Sequence, residues 1–127
     1  MKKTAVITDR GPKAIGPYSQ AIKAAGLMFI SGQIPLDPAT GEVVGTEINA
    51  QTVRVLENVK GIVESQGCTM ADVAKTTVFL KDMNDFAAMN KIYASYFPDP
   101  APARSTIQVA RLPKDALVEI ETIIVLE

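Results

Sequence analysis

A chain of 127 residues, 47% apolar and 21% charged, has the composition of one folded domain, 1–127, with a single hydrophobic core. Its 13 Lys and Arg against 14 Asp and Glu argue against a protein built to hold a polyanion, and no specific nucleic-acid partner is expected. The absence of histidine excludes Ser-His-Asp and Cys-His catalysis and His-based metal sites, while the lone Cys68 excludes thiolate clusters and an intramolecular disulfide.

The opening MKKTAVITDRGPKAIG holds no apolar stretch of signal-peptide length, and no run is long enough to span a bilayer. With a single cysteine, the expectation is a cytoplasmic protein with no membrane partner. The short TAVITD run reads as an edge strand. In AIGPYSQAI, residues 14–22, Gly16 and Pro17 fix a turn and Tyr18 follows directly. LMFISGQ, residues 27–33, is a β-branched and aromatic run between Gly26 and the turn-rich PLDPATGE, and predicts a strand. Ile48, Thr52, Val55, Leu56, Val59, Ile62 and Val63 then recur at spacings of three and four, the period of a helix, with Gly67 placed as its C-terminal cap.

VAKTTVFLK, residues 73–81, predicts a second strand. NDFAAMNKIYASYF predicts a second helix, capped by Asn84 or Asp82, with Phe86, Met89, Tyr93 and Phe97 as its stripe. Pro98, Pro100 and Pro102 end it. Strands over 105–112 and 116–127 close the chain. Such an order predicts an α+β domain with one mixed sheet and two helices. Two helices cover only one face of a sheet whose strands at 76–80 and at the C-terminus are apolar on both sides. The other face therefore needs a partner, and a homo-oligomer is expected.

Polar residues on apolar faces are the candidates for chemistry. The last strand carries Val118, Ile120, Thr122, Ile124 and Leu126 on one face, and Leu117, Glu119, Glu121, Ile123 and Val125 on the other. Either that end of the strand is solvated and its acids pair with Lys114 or Arg111, or a carboxylate with a raised pKa sits in a low-dielectric cleft, able to pass a proton to or from water. Asn90 falls on the apolar stripe of its helix, as a buried hydrogen-bonder or as a substrate contact. Arg104 opens a strand after a stiff proline-bearing loop. It is a solvated or subunit-pairing edge residue, or a guanidinium aimed at a carboxylate or phosphate. Tyr18 packs in its turn or orients a ligand with its hydroxyl. Cys68 reads as a small semi-buried residue with nothing nearby to activate it.

Four segments carry a resemblance: IGPYSQAI, ISGQIPLDPATGEVV, AKTTVFLKDMNDFAAMN and PARSTIQVARLPKDALVEIE. In order and spacing they resemble the RidA/YjgF family, whose members are reactive-intermediate (2-iminobutanoate/2-iminopropanoate) deaminases. The match runs from about 4 to 126, and PAR…VARLP…EIE is a highly specific block. The resemblance implies a chorismate-mutase-like fold assembled as a homotrimer, with clefts between subunits for small 2-imino and 2-keto acids. It implies hydrolysis of short 2-imino acids to 2-keto acid and ammonia, with no cofactor and no metal. By position, Arg104 matches the family's carboxylate-binding arginine, and Glu119 the acid that handles water. Tyr18 matches the tyrosine of GPY, Ser31 and Gly32 the cleft residues of SGQIP, and Asn90 the helix asparagine. Thr106 stands where many members have cysteine. There the backbone N–H is the implied substrate contact, so binding should persist and any thiol-specific role is lost.

Two other functions fit the same residues. A trimeric sensor of 2-keto acids needs Arg104 but not Glu119. A ribonuclease or translation inhibitor has the balanced charge and the missing histidine against it.

Overall fold

The computed structural model describes residues 2–126, and its core follows directly from the apolar periodicities of the chain. The elements in order are β1 (Thr4–Val6), β2 (Ala21–Ala24), β3 (Leu27–Gln33), α1 (Ile48–Ser65), β4 (Val73–Leu80), α2 (Phe86–Ala94), β5 (Ala103–Gln108) and β6 (Val118–Val125). Strand β2 escapes the sequence reading, which has no signal for it. It joins β3 through Ala25 and Gly26, both at positive φ (55° and 77°), the two-residue turn whose twist matches the flanking strands. An alanine in that conformation is an uncommon turn residue, so the hairpin does not announce itself.

Helix α1 starts at Glu47, whose carboxylate accepts from the N–H groups of Ala50 (2.7 Å) and Asn49 (3.1 Å). It ends at Ser65, with Gln66 as its C-cap, and Gly67 follows at φ 78°. The apolar stripe is buried as expected, and each of Val55, Leu56, Val59, Ile62 and Val63 contributes roughly 1.5–3 kcal/mol of burial. Helix α2 is shorter than its sequence stripe. Asp82 accepts from the Asn84 N–H and caps a 3-10 turn over Met83–Asp85, and the α-helix proper begins at Phe86. The strand expected over 105–112 ends at Gln108. The last strand begins at Val118, because Ala116 still closes a 3-10 turn over Pro113–Asp115 with its N–H on the Pro113 carbonyl, and it runs to Val125. Glu127, the last residue of the expected strand, lies outside the described residues.

One six-stranded sheet results, in the order β1-β2-β3-β6-β4-β5, mixed because β4 and β5 run parallel while every other neighbouring pair is antiparallel. Both helices pack on the face that carries Met28, Ile30, Val78, Leu80, Val118, Ile120 and Ile124. On the opposite face Phe29, Ile107 and Val125 remain 42%, 46% and 41% exposed, respectively. That is a row of large apolar side chains of the kind that marks an interaction surface. Among the described residues no helix is long and apolar enough to cross a membrane.

Candidate active site

Glu119 lies on the uncovered face of β6, between the buried Val118 and Ile120 and opposite Phe79 of β4. The neighbouring strand makes room for it. Between Ile30 and Gln33 the β3–β6 register slips by one residue, a bulge that contains Ser31 and Gly32. A Cβ on Gly32 would overlap the Glu119 carboxylate and sit 2.8 Å from its Cδ, so only glycine admits the side chain there. The bulge is anchored from outside. Ser31 donates its hydroxyl to the Ser19 carbonyl (2.6 Å) and its N–H to the Gln20 carbonyl (3.0 Å).

Tyr18, Ser31, Gly32 and Glu119 thus line one open cleft of about 710 Å³, with Lys13 and Lys114 at its margins. Tyr18 is 54% exposed, and its hydroxyl accepts from the Ile15 N–H at 3.3 Å. Burial pushes the Glu119 carboxyl above its ordinary pKa, and the neighbouring Glu121 charge pushes the same way. No ion pair among the described residues relieves it. Arg111, one of the partners weighed for the acids of this strand, binds Asp115 instead, at 2.7 and 3.2 Å. The result is a half-buried carboxylate that holds its proton more tightly than an exposed one.

Arg104 is on the other side of the sheet. It pairs in register with Thr76, whose side chain is fully buried under the helices, so the arginine points toward α2. There Phe86, Asn90 and Tyr93 share a face at i, i+4 and i+7. Arg104 Nη1 donates to Asn90 Oδ1 at 2.7 Å, and its Cζ lies 4.7 Å from the Tyr93 ring centre and 5.4 Å from that of Phe86. Asn90 is therefore the polar member of the stripe because it holds the arginine. Thr106 follows two residues on, with its Oγ1 buried and without a partner. Among the described residues Arg104 has no carboxylate within ion-pair distance.

Three buried amides also belong to the site's support. Gln20 Nε2 donates to the carbonyls of Thr8, Gly11 and Pro12 and ties down the loop before Tyr18. Asn58 Nδ2 donates to the Leu36 carbonyl at 2.8 Å, and Gln51 donates to Gly45 and accepts from the Leu117 N–H. Gln51 and Asn58 were findable by the signal that picked out Asn90, since both fall on the apolar stripe of their helix. Gln20 carries no such signal, because it directly precedes β2, a strand without a periodic apolar pattern. Among the described residues no cluster of acids and cysteine is placed to hold a metal ion.

Fold and site together define a single-sheet α+β protein with a protonatable carboxylate in a cleft and an unpaired guanidinium at the sheet edge. The endoribonuclease L-PSP family model matches residues 8–126, and the chain belongs to this family, that of the RidA/YjgF proteins. A RutC family protein of Pyrococcus horikoshii is 58% identical over 95% of this chain and 96% of its own length. The chloroplastic Reactive Intermediate Deaminase A of Arabidopsis thaliana is 50% identical over 97% of this chain and 66% of its own. The crystal structure of the YjgF gene product of E. coli superposes with a TM-score of 0.91 at 45% identity, covering 98% of this chain and 99% of that one. E. coli TdcF with bound serine superposes at 0.90 and 44% identity, covering 96% and 98% respectively.

Proposed function

We propose that this protein hydrolyses short-chain 2-imino acids, such as 2-iminobutanoate and 2-iminopropanoate, to 2-keto acids and ammonia. The observation that carries the reading is a pair of groups without ion-pair partners: Arg104, free to fork a carboxylate, and Glu119, whose carboxyl burial in a cleft pushes above its ordinary pKa. The relative named Reactive Intermediate Deaminase A supports the reaction class, and serine bound to TdcF supports a small amino-acid-like ligand.

In this reading Arg104 binds the substrate carboxylate and so places the adjacent C=N carbon. Thr106 contributes its backbone N–H, and Asn90 holds the guanidinium. Glu119, protonated, gives its proton to the imine nitrogen; as carboxylate it then accepts one from the water that adds to the carbon. Glu119 then passes the recovered proton to the amine nitrogen, and as the C–N bond breaks the carbinolamine hydroxyl gives its proton to the carboxylate, leaving the keto acid, ammonia and a protonated Glu119. Tyr18, Ser31 and Gly32 line the wall beside that water. Because the two charges lie on opposite faces of one chain's sheet, the complete site takes Arg104 from one protomer and Glu119 from another. A homotrimer closed through the uncovered apolar face supplies three such sites.

The test is a coupled assay. A threonine dehydratase generates 2-iminobutanoate, semicarbazide traps what survives, and wild type is compared with Arg104→Ala and Glu119→Gln. Wild type should suppress trapping and both variants should not, while Glu119→Gln should still bind 2-oxobutanoate. Wild type with no effect on trapping would sink the enzyme reading and leave a keto-acid binder. Cleavage of RNA by wild type that Glu119→Gln abolishes would favour the nuclease named in the family description instead.

A further inference from the structure

An arginine side chain tethered by one hydrogen bond keeps its freedom to turn about that bond. The contact from Arg104 Nη1 to Asn90 Oδ1 fixes one corner of the guanidinium and leaves the orientation of its plane open. A second restraint is present. The Tyr93 ring centre lies 4.7 Å from Arg104 Cζ, with Phe86 further off at 5.4 Å. Tyr93 is itself immobilised: it is 5% exposed, its ring rests on Phe97 at 4.5 Å, and its hydroxyl shares a 2.7 Å hydrogen bond with Thr76 Oγ1. Thr76 is fully buried and is the residue directly across from Arg104 in the β4–β5 ladder. Ring and guanidinium are thus referred to the same point of the sheet.

We infer that Tyr93 is a positioning residue for Arg104: its ring face sets the plane of the guanidinium so that the remaining N–H donors meet a ligand carboxylate as a fork. This rests on the proposed role of Arg104. The energetic basis is the attraction of a cation to an aromatic face in a partly desolvated place, together with the avoided loss of rotamer freedom on binding.

The experiment is calorimetric titration of the assembled protein with 2-oxobutanoate, which needs no turnover. Arg104→Ala should abolish binding; if it binds as wild type does, the parent reading of Arg104 fails. Given that loss, Tyr93→Leu should weaken affinity at least about fivefold, while Tyr93→Phe, which keeps the ring, should stay within about twofold. In turnover, Tyr93→Leu should raise KM for the imino acid and leave kcat nearly unchanged, a split that general destabilisation would not produce. Wild-type affinity in Tyr93→Leu overturns the inference and leaves Arg104 untouched. Should Tyr93→Leu fail to fold, the wild-type protein still decides. Ring-current shielding should place the Arg104 Hε and Hδ resonances upfield of those of the other arginines, and unshifted resonances overturn the inference.

Discussion

Arg104 and Glu119 stand on opposite faces of one sheet. Arg104 is in register with Thr76 and Glu119 with Phe79, three positions further along β4, where an odd offset reverses the side of the sheet. The separation along the strand alone is about 10 Å, at roughly 3.3 Å per residue. A 2-imino acid has its carboxylate and its reacting carbon on adjacent atoms. No such molecule touches both groups of one protomer, so the two charges either serve different purposes or meet across an interface.

Mixing inactive variants separates these cases. If the site is shared, an oligomer assembled from equal amounts of Arg104→Ala and Glu119→Gln subunits contains interfaces where both partners are intact. Random pairing makes that about one interface in four, so co-refolded protein should recover about a quarter of wild-type activity from two dead parents. Recovery of none would mean that the two groups do not meet across an interface and serve different purposes.

Gly32 offers a substitution whose effect is steric and local. Its φ is not in the left-handed region, so alanine there strains no backbone and acts only through the collision with the Glu119 carboxylate. Gly32→Ala should fold with little change in Tm and displace that carboxylate by about 1 Å, costing on the order of a hundredfold in kcat/KM. Steady-state kinetics alongside a melting curve would show whether activity falls without stability.

Much of this was legible in the chain. The α1 stripe, LMFISGQ as a strand and the alternation through Glu119 follow from apolar spacing alone, because burial enforces those periods. The β2 hairpin was not legible, since Ala25 adopts a conformation that alanine rarely signals. Asn90 was singled out as polar on an apolar stripe, but its partner 14 residues away is visible only once α2 crosses β5. The pairing of Thr76 with Tyr93 is a tertiary contact between two residues that each look like ordinary core.

Asn58 couples the core to the cleft. It is fully buried, donates to the Leu36 carbonyl and accepts from Arg54 Nε (3.2 Å) and Nη2 (2.9 Å), while Ile34 and Leu36 form part of the cleft wall. Asn58→Ala orphans a part-buried carbonyl and frees a half-buried guanidinium, at a cost of about 1–3 kcal/mol. Urea denaturation should report that loss, and KM should rise as the loop over 34–36 loosens. A normal KM in a destabilised variant would show that the loop keeps its place without the amide.

Glu119 ties the chemistry to stability through pH. Its folded pKa is raised above the ordinary value of 4.5, first by burial and then by Glu121. Below that ordinary value the group is protonated in both the folded and the unfolded chain and costs nothing. As pH rises, the unfolded chain releases its proton first, so the folded state holds more protons and stability falls until the raised pKa is passed. Glu119→Gln removes the penalty. The variant should melt higher than wild type at about pH 7.5 and match it at about pH 3.5, while losing turnover at both. Differential scanning calorimetry at the two pH values reads the sign directly. A variant that melts lower than wild type at the higher pH would mean that an opposing charge, supplied by another protomer, stabilises the carboxylate in the assembled protein.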